Sequence, residues 1–317
     1  MRAGSDRRVS NTAVPTLQAM KISLLSFWHR GRAVERIGYL VGAVLLASGL
    51  IHFALLAIGG GSWAGPLSLR KPTTFGLSFG LTLITVTWVT SFLKLRDRAR
   101  NTILGVFTAA CALETALVSL QTWRGVPSHF NVETTFDAFV TRGLAGGGVT
   151  LVIAILMLSV IAFRSNPAVP PSMRLAIQVG FLTLLGAQII GGVMIARGMI
   201  LVFRGDAQTA YATGGMLKPT HAVTMHAILI LPALAWLLSF VDWSERRRER
   251  VVRLASLGYV VLATVIAIGN VAGVDLSHLP GVMSAPLAVG ALLLVATGGL
   301  TLLALGREPA HHGIQHS

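Results

Sequence analysis

Apolar residues fall in eight long stretches separated by short polar connections. The stretches cover roughly residues 37–58, 72–94, 101–123, 137–163, 173–196, 219–241, 251–272 and 283–306. Each is near the roughly 20 apolar residues that a helix needs to cross the hydrocarbon core of a bilayer. The pattern therefore predicts an all-α polytopic membrane protein with eight transmembrane helices.

Composition and charge support a membrane protein and also predict how it is oriented in the membrane. Only 12% of the residues are charged, against about 25% in a typical soluble domain. The net charge of +14 is compatible with nucleic-acid binding, but most lysines and arginines lie before the first stretch and after the second, fourth and sixth. By the positive-inside rule, both termini are expected in the cytoplasm of a bacterial-type inner membrane. We expect contact with anionic lipids at that face and none with nucleic acid.

Two short motifs recur at nearly the same separation along the chain. Lys71-Pro72-Thr73 matches Lys218-Pro219-Thr220, and Ser128-His129 matches Ser277-His278. The recurrence predicts two four-helix repeats, residues 37–163 and 164–306. They should run in parallel because an even number of crossings separates them. Residues 1–36 and 307–317 form cytoplasmic tails, and hydrophobic spacing over 17–30 indicates an interfacial helix or a disordered segment.

The Lys-Pro-Thr triplet has two interpretations. Proline is favoured at the first position of a helix, so the triplet is a good structural helix start. Alternatively, two positive helix ends that each carry a lysine attract an anion or a lipid head group.

Few polar side chains lie inside the predicted helices, and most fall in the outer half of the membrane. They include His52, Glu114, Gln188, His221 and His226. Buried ionisable residues are costly in a bilayer and often mark function, although a membrane histidine can simply bond a neighbouring helix. Neutral imidazole binds haem iron, copper or zinc, and a titrating imidazole can relay protons with Glu114.

The spacing of the two helix-six histidines decides which of them is the better ligand candidate. His221 and His226 lie about 140° apart around a helix, so they cannot chelate one ion together. Depth favours His52 and His226 as the metal or haem ligands. His221, Glu114 and Gln188 are then expected to support the cofactor.

The connection over residues 122–137 is the densest polar stretch outside the predicted cytoplasmic loops. Its counterpart over 270–281 is shorter and less polar. The asymmetry suggests a lid or part of a site, although an ordinary interfacial loop is also consistent. The candidate outer-loop site comprises Lys71, Arg124, His129, Asn131, Asp137, Lys218 and His278.

Two parallel four-helix halves with histidines near the outer face resemble haem A synthase in architecture. The resemblance covers topology alone, so neither activity nor ligands follow from it. No Walker A, CxxC, HExxH or nucleophile-elbow motif assigns an enzyme class. The leading hypothesis is a histidine-containing site in the outer half of the bundle that binds haem or a transition metal for redox work. The alternatives are a small-solute or proton-coupled transporter and a structural membrane subunit.

Overall fold

The computed structural model describes residues 16–65, 67–212, 217–274 and 280–306. Every regular segment in these ranges is an α-helix, which confirms the predicted fold class. The helices are α1 (Thr16–His29), α2 (Ala33–Ile58), α3 (Arg70–Thr90), α4 (Asp97–Trp123), α5 (Thr135–Ala162), α6 (Pro171–Phe203), α7 (Ala207–Ala212), α8 (Lys218–Leu238), α9 (Glu245–Val271) and α10 (Gly281–Leu305).

Eight of the described helices are long and apolar enough to cross a membrane, namely α2 to α6 and α8 to α10. They match the eight predicted stretches one for one, and the chain is a multi-pass membrane protein. Large apolar side chains cover the outside of the bundle, as Ile51 (59% exposed) and Val295 (72% exposed) illustrate. A lipid environment accepts such a surface, since lipid tails are as apolar as the side chains.

The helices pack in pairs, α2 with α3, α4 with α5, α6 with α8, and α9 with α10. Between the first four and the last four, α3 contacts α8 and α5 contacts α6. Glycines bring some pairs very close. A Cβ added at Gly49 of α2 would lie 2.6 Å from the main-chain nitrogen of Leu77 in α3. Small residues allow such backbone contact where the hydrophobic effect gives little help.

The turns that lead from α3 into α4 and from α8 into α9 are built alike. The rings of Trp88 and Phe92 meet edge to face with centroids 5.7 Å apart. Trp236 and Phe240 repeat that arrangement at 5.0 Å. In both turns an aromatic pair of this kind holds the end of the incoming helix.

An arginine on the following helix closes each of these turns. Nη2 of Arg100 donates to the carbonyl oxygen of Leu93 at 3.0 Å, and Nη2 of Arg248 donates to that of Val241 at 2.7 Å. We call this side of the bundle the arginine end. The opposite side, where Lys71 and Lys218 begin α3 and α8, is the lysine end.

A buried ion pair ties three helices together at the arginine end. Arg100 of α4 and Glu35 of α2 are each 3% exposed, and Nη1 of Arg100 lies 3.2 Å from Oε1 of Glu35. The same Nη1 donates to the carbonyl oxygen of Thr90 in α3 at 2.6 Å. The guanidinium therefore has both a countercharge and carbonyl acceptors, as a buried cation requires.

The first helix packs against both aromatic turns. Ser23 Oγ of α1 accepts a hydrogen bond from Trp236 Nε1 at 3.1 Å, and the Phe27 ring meets those of Trp88 and Phe92. A helix thus forms where the spacing over 17–30 favoured one, and its interfacial location stays a prediction. Residues 1–15 and the tail 307–317 lie outside the described ranges.

Candidate functional site

Three cationic side chains gather at the lysine end. Arg70 and Lys71 begin α3, Lys218 begins α8, and these two helices contact each other. The three charges are close enough to disfavour one another electrostatically. No salt bridge joins any of them to a described carboxylate. The positive N-terminal ends of two helices add to the same potential.

The connection between α4 and α5, residues 124–134, lies against this cationic cluster. Nζ of Lys71 donates a long hydrogen bond of 3.4 Å to Ser128 Oγ, which lies 3.0 Å from Nδ1 of His129. The imidazole lies near the rings of Phe75 and Phe130, with centroids 5.7 and 6.1 Å away. Burial, reinforced by the Lys71 charge, lowers the pKa of His129 to about 3. The imidazole is therefore neutral beside the lysine.

The same connection reaches across to the second group of helices. Phe130 has a φ of +66°, a left-handed conformation that is uncommon for a residue with a side chain. Its ring occupies the space that a Cβ at Gly198 of α6 would need. Glu133 hydrogen-bonds to Tyr211 of α7. These contacts fix the connection to both halves of the chain.

Asp137 anchors the connection to the first turn of α5. Its carboxylate accepts hydrogen bonds from Arg124 at 2.5 Å, Gln121 at 2.9 Å and Thr134 at 2.6 Å. Arg124 also donates to the Gln121 side chain. Because these donors occupy the carboxylate, Arg124 and Asp137 form a scaffold and do not neutralise the lysines.

Asn131 is fully buried within this connection. Its Oδ1 accepts a hydrogen bond from the main-chain nitrogen of Glu133 at 3.1 Å, and its main-chain oxygen accepts one from Thr141. Its Nδ2 has no partner in the described part of the chain. A buried donor without an acceptor carries a desolvation cost, so an acceptor placed at this amide would be stabilising.

His52 uses both of its ring nitrogens. Trp123 Nε1, which can only donate, bonds to His52 Nε2 at 3.0 Å. The proton is consequently on Nδ1, which donates to the Ser48 carbonyl oxygen at 2.8 Å. This arrangement satisfies a neutral histidine between α2 and α4, and iron could bind at Nε2 only if Trp123 moved away.

The two histidines of α8 each use one ring nitrogen. Nδ1 of His221 lies 2.9 Å from the carbonyl oxygen of Ala187 in α6, and Nδ1 of His226 lies 2.5 Å from that of Ala222. Nε2 of neither histidine has a hydrogen-bond partner among the described residues. Gln188 is half-buried on α6, next to Ala187, and is not hydrogen-bonded to another described residue.

Glu114 lies apart from these groups, inside the contact between α4 and α5. It is 4% exposed, and its carboxyl group packs against Gly147. Oε1 has no hydrogen-bond partner in the described structure. The predicted residues are thus distributed over several places, with Lys71, Lys218, His129 and Asn131 at one end.

No group of three or more histidine, cysteine, aspartate or glutamate side chains could hold a metal ion in the residues that the structure describes. His278 and Ser277 lie outside those residues. Comparison of the chain with protein-family models, with curated proteins and with solved structures gives no match.

Neither Arg70 nor the contact of Phe130 with Gly198 was predicted from the sequence. The sequence could have pointed to Arg70, because this arginine precedes one Lys-Pro-Thr triplet whereas Leu217 precedes the other. Nothing pointed to the Phe130 contact, since no sequence pattern relates these two positions.

Proposed function

We propose that the protein binds a small oxyanion, a phosphate or carboxylate group, at the lysine end and that this is the recognition step of a solute transporter. The observation that carries the proposal is the meeting of Arg70, Lys71 and Lys218 without a described carboxylate partner. Parallel-repeat transporters bind their substrates between the two halves, and α3 and α8 belong to different halves.

Electrostatics favours an anion over a neutral or cationic solute. Like charges that are held close together and partly removed from water raise the free energy of the empty site. An oxyanion would offset that repulsion and would also accept hydrogen bonds from free N–H groups at the starts of α3 and α8. A neutral His129 adds a polar contact without adding to the repulsion.

The α4–α5 connection would cover the bound anion. Ser128 already contacts Lys71, and Asn131 Nδ2 is a buried donor that needs an acceptor. The contacts of Phe130 with α6 and of Glu133 with α7 join this cover to the second half. A movement between the halves would then alter the site and the cover together.

The topology that this function requires is part of the proposal. We infer two parallel four-helix repeats with both termini in the cytoplasm, so that the lysine end faces the outside of a bacterial-type inner membrane. The matched aromatic turns and the matched arginines Arg100 and Arg248 support the repeat. The basic connections at the arginine end support the orientation and favour anionic lipids there.

Binding of inorganic phosphate and of small carboxylates to the purified protein tests the function. Isothermal titration in detergent should give saturable binding to wild type and a loss of at least about tenfold in Lys71→Met and in Lys218→Met. Lys94→Met is the matched control, because Lys94 lies at the arginine end.

Two further arms separate the sources of the anion. If vesicles with anionic lipid displace bound phosphate and soluble carboxylates do not bind, the ligand is a lipid head group. No saturable binding of either kind, or equal binding by all three variants, would contradict the proposal. Counterflow of the bound anion in proteoliposomes then tests transport itself.

A haem or transition-metal site is the second candidate, and one observation favours it. In His221 and His226, Nδ1 bonds to a carbonyl oxygen and leaves Nε2 to bind a metal. Histidines that bind metals usually have their other ring nitrogen hydrogen-bonded in this way. His52 would join His226 as a ligand after Trp123 moves. A Soret band in the protein purified from haem-supplied cells, lost in His226→Ala, is the expected result. A colourless and metal-free preparation would contradict it.

A further inference from the structure

A buried apolar layer separates Glu114 from the polar groups of the lysine end. Val118 of α4 packs with Val140 and Leu144 of α5, and all three are at most 4% exposed. On the helix they stand between Glu114 and the Gln121–Asp137 pair. Water from that end must pass this apolar cluster to reach the carboxyl group.

The main hydrophobic core closes the other side of Glu114. Cys111 is one turn below Glu114 on α4, and Leu151 is one turn below Gly147 on α5. Both belong to the continuous core that extends to the arginine end. Glu114 therefore occupies one layer of an otherwise apolar contact between two helices.

Gly147 makes the space that the Glu114 side chain fills. A Cβ at Gly147 would overlap the carboxyl group. The neighbouring Gly146 and Gly148 have nothing within 4 Å of an added Cβ, so they face open space outside the packed helices. None of the three carries a side chain, so the surface of α5 beside Glu114 consists of main-chain atoms at these positions.

No cation compensates a negative charge at this place. No salt bridge joins Glu114 to a described cation, and its described hydrogen bond comes from the main chain of Gly148. The ionisable groups on the helices packed against α4 lie toward the helix ends: Glu35, Arg36, Tyr39 and His52 on α2, Arg70 and Lys71 on α3, and Asp137 and Arg142 on α5. Arg142 of α5 is exposed and forms no salt bridge with a described carboxylate.

We propose that Glu114 is a proton-binding site of the membrane domain, held as a neutral carboxylic acid between α4 and α5 and accessible from the bilayer past Gly146 and Gly148. An isolated carboxylate in apolar surroundings costs far more than a carboxylic acid, so the group retains its proton. The site does not depend on the anion site at the lysine end. It would supply the proton if transport is proton-coupled.

Hydrophobic carbodiimides test the proposal, because they partition into bilayers and react with protonated carboxyl groups. The acid proton moves to a carbodiimide nitrogen and the carboxylate oxygen attacks the central carbon. The O-acylisourea then rearranges by an O-to-N acyl shift to a stable N-acylurea, with no leaving group. Wild-type protein in lipid vesicles is incubated with dicyclohexylcarbodiimide and mapped by peptide mass spectrometry.

We expect one whole carbodiimide on the peptide that contains Glu114, less of it as the pH is raised, and none in Glu114→Gln. Glu35 is the internal control, since it is equally buried but paired with Arg100, and it should stay unmodified. Infrared difference spectra should show a carboxylic-acid C=O band in wild type that is missing in Glu114→Gln. An unmodified Glu114 in folded protein, or an unchanged band in the variant, would overturn the proposal. Neither result bears on phosphate binding, so the two proposals fail separately.

Discussion

Single ionisable side chains in this bundle differ by whether the fold provides them with a partner. Arg100 and Glu35 are buried in the way that core apolar residues are, yet each has a countercharge and hydrogen bonds. Lys71 and Lys218 form no salt bridge with a described carboxylate, and they lie close enough to repel each other. We therefore assign a structural role to the Arg100–Glu35 pair, whereas the two lysines belong to the proposed anion site.

Loss of Arg100 should destabilise the protein strongly. Arg100→Met leaves the Glu35 carboxylate buried and removes a donor from the Thr90 and Leu93 carbonyl oxygens, at a cost of about 3–5 kcal/mol. Unfolding in mixed micelles measures the change. Arg253→Met is the control, since its bond to Glu249 is solvent-exposed and is worth less than about 1 kcal/mol. Equal losses in both variants would contradict the role of burial.

His129 should make the protein sensitive to acid. Its pKa is about 3 in the folded state and about 6.5 in an unfolded chain. Between these pH values the imidazole binds a proton in the unfolded chain but not in the folded protein. The free energy of unfolding therefore decreases as the pH falls below about 6.5 and continues to decrease toward about 3. Thermal unfolding from about pH 7 to about pH 4 should show a smaller loss in His129→Gln than in wild type. Parallel pH profiles would mean that folding does not lower the pKa of His129.

At the scale of residues, sequence predicted positions better than partners. It placed Lys71, Lys218 and His129 in one candidate site, because the repeated motifs and the polar connection marked them. It could not predict that Trp123 bonds to His52. Helical periodicity indicates which face of a helix a residue occupies, but the neighbouring helix and its register depend on the packing of the whole bundle.

Helices here associate through their smallest residues. Gly42 and Gly49 of α2 face Gly80 and Gly76 of α3, and added Cβ atoms would meet main-chain atoms at 3.0 Å or less. Main chain cannot yield as a flexible side chain does. The α2–α3 contact should therefore be the element most sensitive to small increases in side-chain volume.

Substitution of Gly49 tests this sensitivity. In Gly49→Ala the methyl group would lie 2.6 Å from Leu77 N, so α2 and α3 must separate, at a cost of about 1–3 kcal/mol. Gly105→Ala in α4 is the matched control, because its Cβ meets nothing within 4 Å and alanine favours a helix by up to about 1 kcal/mol. The midpoint of thermal unfolding should fall in the first variant and stay or rise in the second.

The number of membrane helices followed from sequence, whereas their lengths did not. Membrane thickness fixes the length of an apolar stretch, so all eight helices were predicted. The fifth stretch was expected to end near residue 196, before Arg197, but α6 continues to Phe203. Hydropathy records where apolar residues stop, and a helix can extend beyond the bilayer as long as its main chain stays hydrogen-bonded.

The whole molecule combines matched and unmatched parts. Its arginine end has two similar turns, each with an aromatic pair and a closing arginine. Its lysine end has one long connection from the first half that contacts the second half through Phe130. This asymmetry gives the proposed anion site one covering connection for two lysines.

Membrane orientation gives a further prediction, because the proposed parallel halves would place matched positions on the same side. In a Cys111→Ser background, Ser62→Cys and Arg204→Cys lie exposed after α2 and α6, at the lysine end. Arg98→Cys and Arg246→Cys occupy the first turns of α4 and α9, at the arginine end. A membrane-impermeant maleimide applied to intact spheroplasts should label the first two, and the last two should react only after permeabilisation. Antiparallel halves would instead label one cysteine of each pair, and an inverted molecule would label Arg98→Cys and Arg246→Cys, placing the lysine cluster inside the cell, where it could not receive an external anion.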